Sequence, residues 1–246
     1  MNLTVLGKYG PYPAMEGATS GYLINYEKTN IMLEFGSGVL SRIQHYINLS
    51  DISAIILSHL NSDHISDMFV LRYALLKLQK QGLISRGVLP IKVFAPDSPQ
   101  LDYAMLRNQN VFELITITDG MRVHIGGIEI SFHKMLHGIP SFGALMYTNK
   151  KVLAYTGDTS VNDDISTFAM GANMLLANTE ILERQKPSNR YSLAVEEAAE
   201  IALEAGVEKL LLSHIVPGSD ELEMHWNAAA IFPNVEIAQE MTTYEV

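Results

Sequence analysis

The chain of 246 residues contains no cysteine. Disulfides and thiolate ligands are therefore excluded, and any metal must sit on His, Asp, Glu or Asn side chains. The absence of cysteine does not by itself fix a compartment. No uninterrupted apolar run is long enough to span a bilayer. Residues 1–7 lack a basic segment followed by an apolar stretch and a cleavage site, so they read as a first strand and not as a signal peptide. Positive charge is scarce: 17 Lys and Arg stand against 27 Asp and Glu, a formal net charge of −10. That disfavours a broad nucleic-acid-binding face, although a local basic loop is compatible with it. No Pro/Gly/Ser-rich linker or low-complexity tract divides the chain. The expectation is a cytoplasmic protein with no membrane partner and one domain over residues 1–246.

What is present is a large apolar fraction, 48%, enough for a substantial core. Strand-length apolar runs occupy residues 3–6, 22–26, 31–33, 54–57, 91–95, 111–115, 128–132, 144–147, 152–155, 174–177 and 209–212. Helical periodicity suits residues 39–47, 68–79, 99–107, 163–170 and 193–205. In the last of these Ser192 is the expected cap, Glu196 and Glu197 lie near the start, and Gly206 ends it. Both halves end in a helix–strand pattern without a literal repeat. A layered α/β arrangement, two sheets inside and helices outside, accommodates this order.

The chemistry concentrates in His59-Leu60-Asn61-Ser62-Asp63-His64, directly after the strand at 54–57. Loops past strand ends are where α/β proteins keep ligands. His and Asp together suit zinc, manganese or iron. Three further strand ends each present one metal-competent side chain: His137 in Leu136-His137-Gly138, Asp158 in Gly157-Asp158-Thr159, and His214 in Ser213-His214. Taken alone, Asp63 could instead cap a helix, Asp158 could belong to an ordinary turn, and each histidine could be a core residue. His45, His124, His133 and His225 read as structural or surface residues.

The ordered landmarks Ala18-Thr19-Ser20-Gly21-Tyr22-Leu23, Glu34-Phe35-Gly36-Ser37-Gly38, the His59–His64 cluster, His137, Gly157-Asp158-Thr159 and Ser213-His214 run nearly end to end. In them the chain resembles the metallo-β-lactamase superfamily, in particular its ribonuclease Z-like hydrolases. The resemblance implies a four-layer αββα sandwich with the site along one edge between the sheets. It also implies a first metal on His59, residue 61, His137 and Asp158. A second metal would sit on Asp63, His64, Asp158 and His214, with Asp158 bridging. A metal-bound hydroxide would be the nucleophile, with Asp63 as the catalytic residue that orients it or accepts its proton.

Several positions depart from that pattern. Asn61 replaces a histidine, and an amide oxygen is a weaker donor to zinc than imidazole. One firmly held zinc or manganese ion is therefore expected, with the first position weak. Ser192 stands where the family carries a histidine thought to protonate the leaving group. Asn178-Thr179-Glu180-Ile181 replaces His-Glu-Ala-Thr, displacing its acidic partner, and Glu34 stands for an aspartate. Only 20 residues, 138–157, separate His137 from Asp158. That is room for a hairpin and not for the arm with which ribonuclease Z grips transfer RNA.

The leading expectation is thus a phosphodiesterase-like metal-dependent hydrolase acting on a small anionic or ester substrate. A non-catalytic metal- or ligand-binding relative is the rival, and an RNA endonuclease of the ribonuclease Z type is a third reading. Transfer RNA is not expected as a partner, and a homodimer is a family expectation. Arg190, in a small basic cluster with Arg184 and Lys186, is either a solvated loop residue or a contact for an anionic substrate. Ser141 is either a turn residue after Pro140 or a donor to a phosphate oxygen.

Overall fold

Strands whose residues are buried on both faces have to run inside a layered structure. Ala54–Ile56 and most of Lys209–Ser213 are of this kind. The computed structural model describes residues 1–85, 87–107, 110–185 and 191–246. In chain order its elements are β1 (Asn2–Gly7), β2 (Gly21–Tyr26), β3 (Thr29–Leu33), α1 (Val39–Ile43), β4 (Ala54–Ile56), α2 (Ser62–Ile65), α3 (Met68–Lys80), β5 (Ile91–Ala95), α4 (Gln100–Leu106), β6 (Phe112–Thr116) and β7 (Arg122–Ile125). They continue with β8 (Ile128–Met135), β9 (Ser141–Tyr147), β10 (Val152–Tyr155), α5 (Ile165–Ala169), β11 (Met174–Ile181), β12 (Leu193–Ala194), α6 (Val195–Ala205), β13 (Lys209–Ser213), α7 (Glu221–Ala229), β14 (Val235–Ile237) and β15 (Thr242–Glu245).

The strands form two sheets, ordered β15-β1-β2-β3-β4-β5-β6 and β14-β13-β11-β10-β9-β8-β7, with β12 beside β11. Each sheet has three antiparallel pairings at one side and three parallel ones at the other. The shared helix–strand ending of the two halves is therefore a shared topology, although β15 crosses from the second half to complete the first sheet. Val5, Ile24 and Leu33 of the first sheet pack against Ile130, Leu153 and Leu176 of the second, forming the inner core. Helices α1 and α3 cover the outer face of the first sheet, and α5, α6 and α7 that of the second. This is the four-layer αββα sandwich.

Local differences from the sequence reading have identifiable causes. The helix at 39–47 stops at Ile43, and His45 and Tyr46 continue as tight turns bonded to Arg42 and Ile43. The last long helix begins at Val195, because residues 193–194 pair with β11 instead. Ser192 is thus not its cap. The backbone N–H of Ala194 donates to Glu197 Oε2 at 2.8 Å, which closes the helix start from within the first turn. Helix α7 escaped the periodicity reading because Leu222 and Trp226 are exposed. Its start is capped by Asp220, which accepts from Glu223 N. Among the described residues no helix is long and apolar enough to cross a membrane.

Candidate metal centre

The carboxyl ends of β3, β4, β10, β11 and β13 converge on one edge of the sandwich. There the two sheets touch directly, Phe142 N donating to Ser58 O at 3.0 Å. Gly157 allows this contact. Its φ is +60°, and a Cβ at that position would lie 2.9 Å from the Ser58 side chain. His59 follows β4 in the crevice so formed. Asn61 precedes α2 in extended conformation, without a side-chain cap bond. Asp63 and His64 occupy the single turn of α2, which is tied to the end of β3 by Phe35 N donating to His64 O. His214 directly follows β13 with φ +62°, and Gly10 lies against its ring so closely that a Cβ there would meet it at 2.1 Å.

These elements bring His59, Asp63, His64, His137, Asp158 and His214 together. His59 Nε2 is 3.5 Å from Asp158 Oδ2, and His64 Nε2 is 3.6 Å from Asp158 Oδ1. His64 Nε2 lies 3.5 Å from Asp63 Oδ2. His214 Nε2 lies 3.1 Å from the same Asp63 oxygen and 3.6 Å from Asp158 Oδ2. His137 offers a ligand atom within 4.8 Å of those of His59 and Asp158. Asn61 Nδ2 lies 3.4 Å from His137 Nε2.

The donor set fits a zinc or manganese ion. His59 Nε2 and His64 Nε2 are buried nitrogens without a hydrogen-bond partner, which costs on the order of 1–3 kcal/mol each unless something else satisfies them. Two donors on one tetrahedral cation at zinc bond lengths lie about 3.4 Å apart, close to the separations found here. The other ring nitrogens each face an outer group, hydrogen-bonded for His59 and His137 and only approached, without a hydrogen bond, for His64, which leaves Nε2 to the centre. His59 Nδ1 meets Ser58 Oγ at 2.9 Å, and His137 Nδ1 donates to Tyr191 O at 2.8 Å. His64 Nδ1 faces Glu34 Oε2 at 3.4 Å, and His214 Nδ1 faces Glu180 Oε1 at 3.8 Å.

Charges inside the cluster are strongly coupled. Burial, then the neighbouring His64, hold His59 well below the ordinary imidazole value. Burial also opposes charge on His64, but the carboxylates of Asp158, Asp63 and Glu34 together outweigh it and push His64 up to about 10. For Asp158 burial works upward, and His214, His64 and His59 bring it far below the usual carboxylate range. Asp63 is lowered in the same way: burial raises it, and His64 and His214 more than compensate. Without a cation, the cluster is thus two carboxylates around a protonated His64.

Other expected positions fall elsewhere. Ser141 is buried and its hydroxyl donates to Asp158 O at 2.8 Å, so it is committed to the backbone and not presented to a phosphate. Arg190 and Lys186 lie outside the described residues, and Arg184 pairs with Glu223 at 2.7 Å. His45 and His124 are exposed, His133 packs on Phe168, and His225 packs on Trp226. Residues 138–157 form mainly the β9–β10 hairpin. In the sequence Glu34 and Glu180 stand out only as departures from a pattern, whereas both carboxylates stand behind candidate ligand histidines. The signal for Glu34 was an acidic residue amid buried apolar neighbours directly after a strand.

Comparison with known proteins adds to the geometry. The sequence model of the family described as "Beta-lactamase superfamily domain" matches residues 35–215. The Bacillus subtilis (strain 168) protein named "Probable metallo-hydrolase YhfI" is 28% identical over 215 residues, covering 87% of each chain. A crystal structure of YhfI, described as a metallo-beta-lactamase fold protein, superposes with a TM-score of 0.91 at 27% identity, covering 99% of both chains. A ribonuclease Z from Methanopyrus kandleri is 22% identical over 270 residues, covering 96% of this chain and 94% of its own.

Proposed function

The chain belongs to the β-lactamase superfamily, and on that premise we propose that it is a metal-dependent hydrolase of phosphodiester-like or other small ester substrates. The observation that carries this reading is the pair of partnerless buried nitrogens, His59 Nε2 and His64 Nε2, facing Asp158 at cation-sharing distances. His59, His137, Asp158 and the weaker Asn61 would hold one zinc or manganese ion, and Asp63, His64, Asp158 and His214 another. When bound, a divalent cation supplies Lewis acidity, polarising an ester oxygen and acidifying water.

The chain's own residues do the rest. Asp63 is a carboxylate at neutral pH, because His64 and His214 more than offset the effect of burial. It sits at the boundary between buried and accessible, so it can orient an incoming water and accept its proton. The carbonyl of Tyr191 fixes the His137 ring, and Ser58 meets the Nδ1 of His59. Ser192 offers only a hydroxyl where a proton donor would serve the leaving group, which favours substrates whose leaving group departs without protonation. Net charge −10 and the short 138–157 hairpin support a small substrate in place of transfer RNA.

The test is hydrolysis of bis-para-nitrophenyl phosphate with zinc or manganese added, beside an Asp158→Ala control. Turnover above the control is expected. A bound cation without turnover on phosphodiesters, lactones or thioesters would favour the non-catalytic binding reading instead. Salt-dependent RNA binding would revive the nuclease reading.

A further inference from the structure

Beneath the candidate metal ligands lies a layer of buried side chains with no role so far. Asn178 Nδ2 donates to Asp158 Oδ1 at 2.9 Å and to Tyr155 Oη at 3.0 Å, so both amide hydrogens are spent. Tyr155 Oη, having accepted, donates its own proton to Glu34 Oε1 at 3.1 Å. The same Glu34 oxygen accepts from Ser58 N at 3.0 Å, while Oε2 faces His64. Tyr22 Oη donates to Ser213 Oγ at 2.7 Å and lies 3.4 Å from Asn178 Oδ1.

The direction of every proton in this layer follows. Turning the Asn178 amide over would set its oxygen against the Asp158 carboxylate and leave Tyr155 Oη without a donor, so only one orientation is satisfied. Burial pushes both tyrosine hydroxyls to higher pKa, which keeps them as donors at any working pH. Asp158 Oδ1 therefore accepts from Asn178, and it also lies 3.6 Å from His64 Nε2. Its Oδ2 is left nearly equidistant from His59 Nε2 and His214 Nε2, at 3.5 and 3.6 Å, one from each ligand set.

We infer that Asn178 is a positioning residue: it holds one oxygen of Asp158 so that the other is presented to both ligand sets, and through Tyr155 it ties Asp158 to the Glu34 carboxylate behind His64. This rests on reading the centre as a cation site. A neutral donor fixes the bridging carboxylate without competing for its charge.

The test is titration of the cation-free protein with Co(II), read by visible absorption, for wild type, Asn178→Ala and Tyr155→Phe. The Phe variant keeps the ring and its packing, so a purely space-filling role predicts no change in it. Both variants are expected to bind Co(II) about 10–100-fold more weakly, the range for losing an outer partner of a metal ligand. Their absorption bands should shift, while the cation-free Tyr155→Phe protein melts close to wild type. Wild-type affinity and spectrum in either variant overturns the inference. Failure of the wild-type protein itself to take up Co(II) would instead overturn the reading of the centre on which the inference stands.

Discussion

The side-chain amide of Asn61 lies 3.4 Å from Nε2 of His137, the one ring nitrogen of that histidine left for a ligand. Because His137 Nδ1 donates to Tyr191 O, Nε2 is an acceptor, and the amide nitrogen is the group that suits it. A cation at that nitrogen requires the Asn61 amide to turn and offer its oxygen. The first position therefore gives up this hydrogen bond for a neutral amide oxygen, whereas at the second the 3.1 Å contact of His214 Nε2 with Asp63 Oδ2 gives way to an imidazole and a carboxylate ligand. Asn61→His should tighten the weaker position by at least about tenfold, on the order of 1.4 kcal/mol. It should also raise the cation content measured by elemental analysis after dialysis, with higher phosphodiesterase activity. Unchanged stoichiometry in the variant would show that residue 61 does not limit the first position.

The cation-free protein should be most stable near the ordinary histidine pKa. His64 is held at about 10 when folded, against an ordinary imidazole value of 6.5. The folded state keeps a proton that the unfolded state loses, so this contribution is full below pH 6.5 and disappears as pH rises toward 10. His59 has the opposite sign: its folded value lies well below 6.5, so its contribution is lost as pH falls through that range. Asp63 and Asp158, both lowered, add to the acid side. Melting temperatures in the presence of a chelator should peak near neutrality and fall on both sides. Zinc should remove the alkaline fall, because it takes the place of the His64 proton. A chelated protein with a flat profile up to pH 10 would refute the assignment.

The distances above explain what could be read from the sequence and what could not. His59, His137, Asp158 and His214 each sit at the end of an apolar run, so a strand-end rule finds them without knowledge of which sheet each strand joins. Asp63 and His64 belong to the same short motif. Glu34, Asn178, Tyr155 and Tyr22 are different. They are a buried glutamate, an amide and two tyrosines inside or beside strands, and their polar ends mean nothing until the two sheets are stacked. Strands β7, β14 and β15 escaped for a related reason: none is a wholly apolar run, and β15 gains its place only by pairing with β1, at the opposite end of the chain. Exposed Leu222 and Trp226 blurred the one-sided pattern of α7 in the same way.

The approach of Gly10 to His214 gives a third prediction. A Cβ at residue 10 would fall 2.1 Å from the His214 ring, so the ring must move. Since His214 Nε2 reaches both Asp63 and Asp158, Gly10→Ala should weaken the Asp63/His64/Asp158/His214 position more than it weakens the fold. Calorimetric titration with zinc should show affinity reduced by about 10–100-fold, the scale of a disturbed outer partner. Melting of the cation-free variant should change far less. Equal zinc affinity in the two proteins would mean that the backbone yields and the ring stays.

A leaving group that is a poor anion needs a proton. Ser192 directly follows Tyr191, whose carbonyl holds His137, so position 192 is one peptide from the centre. A serine hydroxyl is a poor acid at neutral pH, whereas imidazole titrates in the useful range. A nitrophenolate leaves without help, but an alkoxide does not. Ser192→His should therefore raise turnover of an alkyl phosphodiester relative to bis-para-nitrophenyl phosphate. General acid catalysis typically contributes about 10²–10⁴-fold, and a grafted, unoptimised imidazole should reach the lower part of that range. The ratio of the two rates is the measurement, because it cancels changes in cation content or in the fraction folded. Equal shifts on both substrates would place the missing proton donor elsewhere in the site.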